Sequence, residues 1–304
     1  MHTVIIGAGA MGSLIGYLLF RAGAQVDLIE RDPAIVRAIN AEGLRVEGVS
    51  GGHIVPLRTR AEAPEGAAAD MIFLLVKAQD TAAAIETIRP LVSSRTVVVT
   101  WQNGVGSERL LGEALGRERV IAGVTNLGAS LLAPGHVLHT SWGDTTLAAL
   151  EPAAHDRAES VASFLTRHGL KTTVTADAAS MLWGKVIINV GVSAITTLAR
   201  VRNGRLLDVP AAKDLMHAAV KEAQGVLEAA QIKLPYRNPL TQIEQSLGRT
   251  ADSLSATLQD HYRGRPTEID FINGAVVRLA EELSLDAPIN RTLTLLVKTA
   301  ESAN

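Results

Sequence analysis

Two sets of residues in this 304-residue chain have types and spacing suited to chemistry. The first is a row of polar side chains in an otherwise apolar stretch, Met181-Leu-Trp-Gly-Lys185-Val-Ile-Ile-Asn189-Val-Gly-Val-Ser193-Ala-Ile-Thr196. Lys185, Asn189 and Ser193 stand four apart and Thr196 follows three later. At about 100° per residue the four share one helix face about 80° wide. A helix apolar nearly all round is buried, so the row must face a polar cavity or internal partners. Burial disfavours an ammonium and lowers its pKa, which suits Lys185 to donate a proton near neutral pH. The same residues admit a second reading, in which Lys185 begins the helix at a domain edge and snorkels to water while Asn189 and Ser193 bond to backbone.

The second set is the turn Gly7-Ala8-Gly9-Ala10-Met11-Gly12, which follows the apolar run Thr3–Ile6 and opens a helix. In such a turn the first glycine permits the tight bend, the second lets a pyrophosphate approach the backbone, and the third lets helix pack on strand. The phosphates then sit at a helix N-terminus, where free N–H groups and the dipole favour anions. The end of the second strand distinguishes the two nicotinamide cofactors, since a carboxylate there accepts from a ribose 2′-hydroxyl and an arginine pairs with a 2′-phosphate. Glu30 and Arg31 stand side by side at that place, which leaves NAD(H) and NADP(H) both open.

The elements that would position these groups follow from periodicity. Thr3–Ile6, Val26–Ile29, Met71–Val76, Thr96–Thr100 and Val120–Val124 read as buried strands; Met11–Ala22, Pro33–Glu42, Thr81–Pro90 and Ser107–Leu115 read as helices between them. Such alternation predicts a doubly wound parallel sheet of Rossmann type. Pro134-Gly135 and Gly143-Asp144 suggest hairpins, Asp156–His168 a helix and Leu170–Val174 a last strand. Beyond it everything has helical period, so residues 1–174 are expected to form the dinucleotide-binding domain and 175–304 an all-helical substrate and catalytic domain. Lys77 and Asn103 come just past the carboxyl ends of strands, where such sheets bind ligands, although Asn103-Gly104 is also an ordinary turn pair. Glu268 and Asp270 are placed in the first turn of a helix after Pro266, where the dipole alone would favour them.

Composition narrows the classes. With 47% hydrophobic and 20% charged residues and a net charge of −2, the chain is an ordinary globular protein with no basic footprint for nucleic acid or an anionic membrane. The apolar stretches look too short and interrupted to span a bilayer, and the N-terminus has no signal-peptide pattern. The absence of cysteine rules out thiolate chemistry and agrees with a cytoplasmic location. The histidines show no ligand spacing, so no metal is expected, and there is no hydrolase or kinase signature.

Taken in order, Gly7-x-Gly9-x-x-Gly12, Val76-Lys77, Gln102-Asn103-Gly104, Leu182-Trp183-x-Lys185-x-x-x-Asn189, Asn203-Gly204, Leu258-Gln259-Asp260 and Thr267-Glu268-Ile269-Asp270-x-Ile272-Asn273-Gly274 resemble the ketopantoate reductase (2-dehydropantoate 2-reductase) family over almost the whole chain. The resemblance implies NADPH-dependent reduction of a small-molecule 2-oxo acid, ketopantoate, on the way to pantothenate, with the active site between a Rossmann and a helical domain. It implies that Lys185 is the proton donor, that Asn103 touches cofactor and substrate, and that Asn189 and Asn203 bind substrate. Glu268 matches the acid near the nicotinamide ribose and the lysine, and Lys77 a lysine on the cofactor side. Two positions depart from the pattern: Ser193 stands where many members have a second substrate asparagine, and Ala256 replaces a serine that holds the substrate carboxylate, with Ser255 expected to point elsewhere on the helix. One lost hydrogen bond to a charged group is worth about 1.5–3 kcal/mol, enough to change the preferred acid. A relative acting on another 2-oxo or 2-hydroxy acid with NAD(H) is therefore the alternative within the enzyme class. A non-catalytic nucleotide-binding protein should have lost Lys185, Asn103 or Glu268, and all three are present. The helical half is long and apolar enough to supply a homodimer interface.

Overall fold

Strand β1 (His2–Ile6) is buried from Thr3 onward, as an unbroken apolar run requires inside a parallel sheet. The computed structural model describes residues 1–64 and 68–303. Two units are distinguished, Met1–Gln102 with Ser107–Ala178, and Asn103–Gly106 with Ala179–Asn304. The four residues Asn103–Gly106, which fall within the span 1–174 assigned above to one domain, cluster with the second unit.

In the first unit β1 leads through α1 (Ala10–Arg21) to β2 (Gln25–Ile29) and α2 (Pro33–Glu42). Asp32 caps α2, its Oδ1 accepting from Ala34 N at 2.8 Å, and Pro33 fills the first turn, where a missing N–H costs nothing. There follow β3 (Leu44–Gly48), β4 (His53–Val55), β5 (Arg58–Arg60), β6 (Met71–Leu74), α3 (Thr81–Ile88), β7 (Val97–Thr100), α4 (Ser107–Leu115) and β8 (Val120–Thr125). The unit ends with β9 (Gly128–Ala133), β10 (His136–Ser141), β11 (Thr145–Ala149), α5 (His155–Arg167) and β12 (Thr172–Val174). The large sheet has the order β12-β11-β8-β7-β6-β1-β2-β5. It is parallel from β8 to β5, and only the β11–β8 pair is antiparallel. The chain winds outward from β1 through β2 to β5 and returns on the other side of β1 with β6. The loops after β1 and β6 therefore flank the point where strand order reverses, the place such sheets offer to a ligand.

Three strands, β3 to β5, were not expected from the sequence. They are three to five residues long and separated by Gly51-Gly52 and Pro56, too short to display a period. β3 and β4 join β9 and β10 in a separate sheet of order β4-β3-β10-β9. Pro134-Gly135 does turn a hairpin, β9 into β10, whereas Gly143-Asp144 closes none: it carries the chain out of the small sheet to β11, which pairs with β8.

Among the described residues the second unit is helical: α6 (Ala178–Ala199), α7 (Arg205–Asp208), α8 (Pro210–Ala229), α9 (Pro239–Arg249), α10 (Ala256–Tyr262), α11 (Asn273–Glu282) and α12 (Pro288–Ser302). Its core gathers Val186, Ile187, Val190 and Ala194 of α6 against Met216, Val220, Ile243 and Val276. Gly191 makes the α6–α8 approach possible, since a Cβ there would lie 3.0 Å from Val220 and 3.1 Å from Met216. A buried polar network ties the packing: Asn273 Nδ2 donates to Val190 O at 3.2 Å and to Asn290 Oδ1 at 2.9 Å. Asn290 Nδ2 donates in turn to Ala219 O at 3.0 Å and to Glu222 Oε1 at 2.8 Å. The expectation that no segment is long and apolar enough to cross a membrane needs correction. α6, at 22 residues, passes that test of length and composition, but 67% of its most apolar stretch is buried within the protein, as a core helix is.

Candidate active site

The glycine turn is built as its spacing predicts. Gly7 has φ +95°, open to glycine and strained for other residues, and its N–H donates to Ile29 O at 2.8 Å. A Cβ on Gly12 would overlap the Gly7 carbonyl oxygen, so α1 can leave β1 this closely only without one. Gly9 is different: its φ of −67° and ψ of −164° suit any residue, and a Cβ there meets nothing within 4 Å. Neither backbone nor packing requires glycine at position 9, and the space beyond its Cα is open to a group approaching the first turn of α1. Gly9 is also the N-cap and brings no side-chain cap, which leaves the amides of the first turn for an anion. The cradle thus fits a dinucleotide pyrophosphate.

The other residues expected to serve the cofactor lie as follows. Glu30 binds the turn itself: Oε2 accepts from Ala8 N at 2.7 Å and Oε1 from Asp32 N at 2.9 Å. Arg31 is turned outward onto Asp80, Nη2 to Oδ1 2.9 Å. Lys77 begins a short 3-10 turn (Ala78–Asp80) beyond β6. That loop is fastened by Gln102, whose Nε2 donates to Val76 O at 3.0 Å, Lys77 O at 3.2 Å and Thr81 Oγ1 at 2.8 Å. The sequence pointed to Asn103 beside it; the role of Gln102 is visible only once β6 and β7 are neighbours.

In the second unit α6 presents the polar row. Lys185 stands well inside the helix, not at its start, because α6 begins at Ala178. Its side chain is partly buried, and desolvation lowers its pKa below the ordinary lysine value. The turn that carries it is braced by Tyr236, whose hydroxyl donates to Gly184 O, and a Cβ on Gly184 would press 2.7 Å from Pro235. Asn189 is half-buried and Ser193 buried. Thr196 closes the row, donating to Val192 O at 2.8 Å and meeting Ser255 Oγ at 2.8 Å.

Ser255 corrects the sequence reading. It is the N-cap of α10 and not a helical residue, so helical spacing does not govern its direction; it is buried and points to the row, accepting from Leu258 N at 3.2 Å. Its hydroxyl is thereby engaged, and Ala256, which follows it, is exposed.

Glu268 is a second correction. It lies before the 3-10 turn Ile269–Phe271, not in the first turn of α11, and it is 4% exposed. A buried carboxylate in that place is no surface charge answering a dipole. It accepts from Asn103 Nδ2 at 3.1 Å. Asn103 reaches it because Gly104, at φ +89°, passes so near Phe271 that a Cβ would overlap the Phe271 carbonyl oxygen, and Val105 N donates to that oxygen at 3.1 Å. Asn203 is buried, with Nδ2 donating to Thr250 Oγ1 at 3.1 Å; its Oδ1 has no partner among the described residues. An acceptor so left can receive a hydroxyl or ammonium proton.

A nucleotide-binding Rossmann unit and a helical unit bearing a desolvated lysine, a buried glutamate and several asparagines define an oxidoreductase of the nicotinamide-dependent class. Comparison with known proteins gives the family. Residues 3–152 match the model of the ketopantoate reductase PanE/ApbA family, and residues 177–301 match that of its C-terminal domain. The chain is 34% identical over 302 residues to the 2-dehydropantoate 2-reductase of Halobacterium salinarum, covering 99% of each. It is 35% identical over 303 residues to that of Pyrococcus horikoshii, covering 99% of this chain and 98% of the relative. Its fold is similar to D-mandelate dehydrogenase in ternary complex with NADH and anilino(oxo)acetate, with a TM-score of 0.96 at 26% identity over 100% of this chain and 99% of that one. It is also similar to a PanE/ApbA family ketopantoate reductase from Ralstonia eutropha, TM-score 0.91 at 31% identity over 100% and 99%. The chain belongs to the ketopantoate reductase family and is an NAD(P)-dependent oxidoreductase of the 2-dehydropantoate 2-reductase type.

Proposed function

We propose that this protein reduces the keto group of ketopantoate or a closely related 2-oxo acid, with Lys185 as proton donor. The observation that carries the reading is Lys185 in mid-helix, desolvated so that its ammonium gives up a proton more readily, on the face that also bears Asn189, Ser193 and Thr196. Gly7 to Gly12 hold the pyrophosphate, Glu30 or Arg31 meets the adenosine ribose, and Lys77 serves the same cofactor. When bound, NADH or NADPH supplies the hydride that reaches C2 of the acid. Lys185 gives a proton to the keto oxygen, leaving a neutral amine that takes its proton back from water. Asn103, held by Glu268, orients a polar group of substrate or cofactor, and Glu268 serves as the orienting partner of Lys185. Asn189, Ser193 and Asn203, whose buried Oδ1 has no partner among the described residues, bind the remaining polar atoms of the acid.

A second reading is favoured by Ser255 and Ala256. With the Ser255 hydroxyl engaged by Thr196 and Leu258 N, and no hydroxyl at 256, the site offers one donor fewer than the family pattern. On this reading the protein prefers a 2-oxo acid with a larger, less polar substituent, in keeping with the likeness to D-mandelate dehydrogenase. Steady-state rates for ketopantoate and a panel of aliphatic and aryl 2-oxo acids, each with NADH and NADPH, separate the readings. In the same assay Lys185→Ala is expected to cut turnover by about 10²–10⁴-fold while dinucleotide affinity is kept. Near-normal turnover of that variant would remove Lys185 from the mechanism.

A further inference from the structure

The end of β2 carries more charge than the glycine pattern alone explains. Glu30 is fixed by two backbone donors, Ala8 N at 2.7 Å and Asp32 N at 2.9 Å, so its carboxylate cannot swing away from a group arriving beside the turn. Asp32 is engaged as the cap of α2. Arg31, the cation next in line, is drawn to Asp80 at 2.9 Å, with its side chain 73% exposed. Asp80 comes from another strand's loop, at the end of the 3-10 turn that Lys77 opens. Glu30, Asp32 and Asp80 thus bring three carboxylates from two loops to this place, and Asp80 is the one paired with Arg31.

An adenosine 2′-phosphate carries close to two negative charges, whereas the 2′-hydroxyl is a neutral donor and acceptor. A fixed carboxylate accepts from the hydroxyl and repels the phosphate. We propose that Asp80 acts with Glu30 to make this protein select NADH over NADPH, by holding the Arg31 guanidinium that would otherwise pair with a 2′-phosphate. Asp80 is a positioning residue that works through Arg31. The inference rests on the reading that the first unit binds a nicotinamide dinucleotide. An exposed ion pair is weak and salt-screened, so Asp80 sets the smaller part of the discrimination and Glu30 the larger.

The test is calorimetric titration of the full chain with NADH, NADPH, and the non-reacting fragments ADP-ribose and 2′-phospho-ADP-ribose. The parent is expected to bind NADH at least about thirtyfold more tightly than NADPH, with the fragments following the same order. Asp80→Asn should tighten NADPH and 2′-phospho-ADP-ribose about three- to tenfold and move NADH less than twofold, and added salt should shrink the gain. Glu30→Gln should tighten the phosphorylated ligands further and weaken NADH. A parent that prefers NADPH, or an Asp80→Asn variant that shifts both dinucleotides alike, overturns the selection while leaving the reductase reading intact. Failure of the parent to bind either dinucleotide overturns both.

Discussion

Gly9 and Gly12 belong to one motif, yet the structure assigns them separable duties, and alanine at each position tests that separation. At Gly9 the backbone is extended and the space beyond Cα is open. Alanine is a poorer N-cap than glycine by about 0.5–1 kcal/mol, and stiffening of the unfolded chain returns about 0.4–1 kcal/mol. The fold should hardly notice, with the melting midpoint of the free protein moving by no more than about 2 °C. The methyl would stand in the space proposed for the pyrophosphate, and on that proposal losing one charge-assisted bond of about 1.5–3 kcal/mol weakens binding some ten- to a hundredfold. At Gly12 the methyl would overlap the Gly7 carbonyl oxygen and lie 3.0 Å from its carbon and 3.4 Å from Ile5 Cγ2. Backbone must move to admit it, at a cost of about 1–3 kcal/mol or more, so the free protein itself should melt lower. Melting curves without ligand and calorimetric titrations with NADH, run on both variants, give the comparison. A Gly9→Ala protein that binds NADH as the parent does, or that melts as low as Gly12→Ala, refutes the division of roles.

Four further outcomes follow from the second unit. On the proposal that Lys185 is the proton donor, it must be charged to act, and because its pKa lies below the usual 10.5, kcat/KM for reduction should fall at a pH below that expected of an ordinary lysine, and the reverse oxidation should rise over the same interval. The same shift gives a stability slope: burying the charged form costs stability below the lowered pKa, and that cost disappears as pH rises from there toward 10.5, so Lys185→Met should flatten the urea midpoint against pH. Asn273→Ala strips two buried acceptors, Val190 O and Asn290 Oδ1, of their donor and should lower unfolding free energy by about 2–4 kcal/mol in urea titration. Ala256→Ser restores a hydroxyl beyond Ser255 and should raise kcat/KM for ketopantoate about ten- to a hundredfold, and no gain would mean that position does not meet the substrate.

What could be read from the sequence was what repeats or clusters locally. The glycine turn, the main parallel strands and the row Lys185-Asn189-Ser193-Thr196 all declare themselves within one element, through period or adjacency. The strands β3 to β5 did not, because three to five residues between glycines and a proline carry no period. Glu268 looked like a dipole residue because the proline before it suggested a helix start, yet the chain makes a 3-10 turn first and the carboxylate is buried. Its partner Asn103 lies 165 residues away, a separation that no local pattern spans. Ser255 was misjudged for a related reason: helical angles apply inside a helix, and a cap residue has extended backbone, here φ −60° and ψ 152°.

The polar row also shows how the fold accommodates an expensive residue. Lys185 loses solvation in a helix that otherwise buries aliphatic side chains, and nothing in packing alone would retain a lysine there. What surrounds α6 holds that helix in one register. Asn273 grips its backbone at Val190, Tyr236 grips it at Gly184, and Thr196 ties its far end to the cap of α10. These ties act on the turns before and after Lys185 and Asn189. Asn273 is tied through Nδ2 alone, its buried Oδ1 having no partner among the described residues. A wholly apolar helix would serve stability at lower cost, so the retained lysine agrees with the proposed role of Lys185 and Asn189 as donors to the substrate.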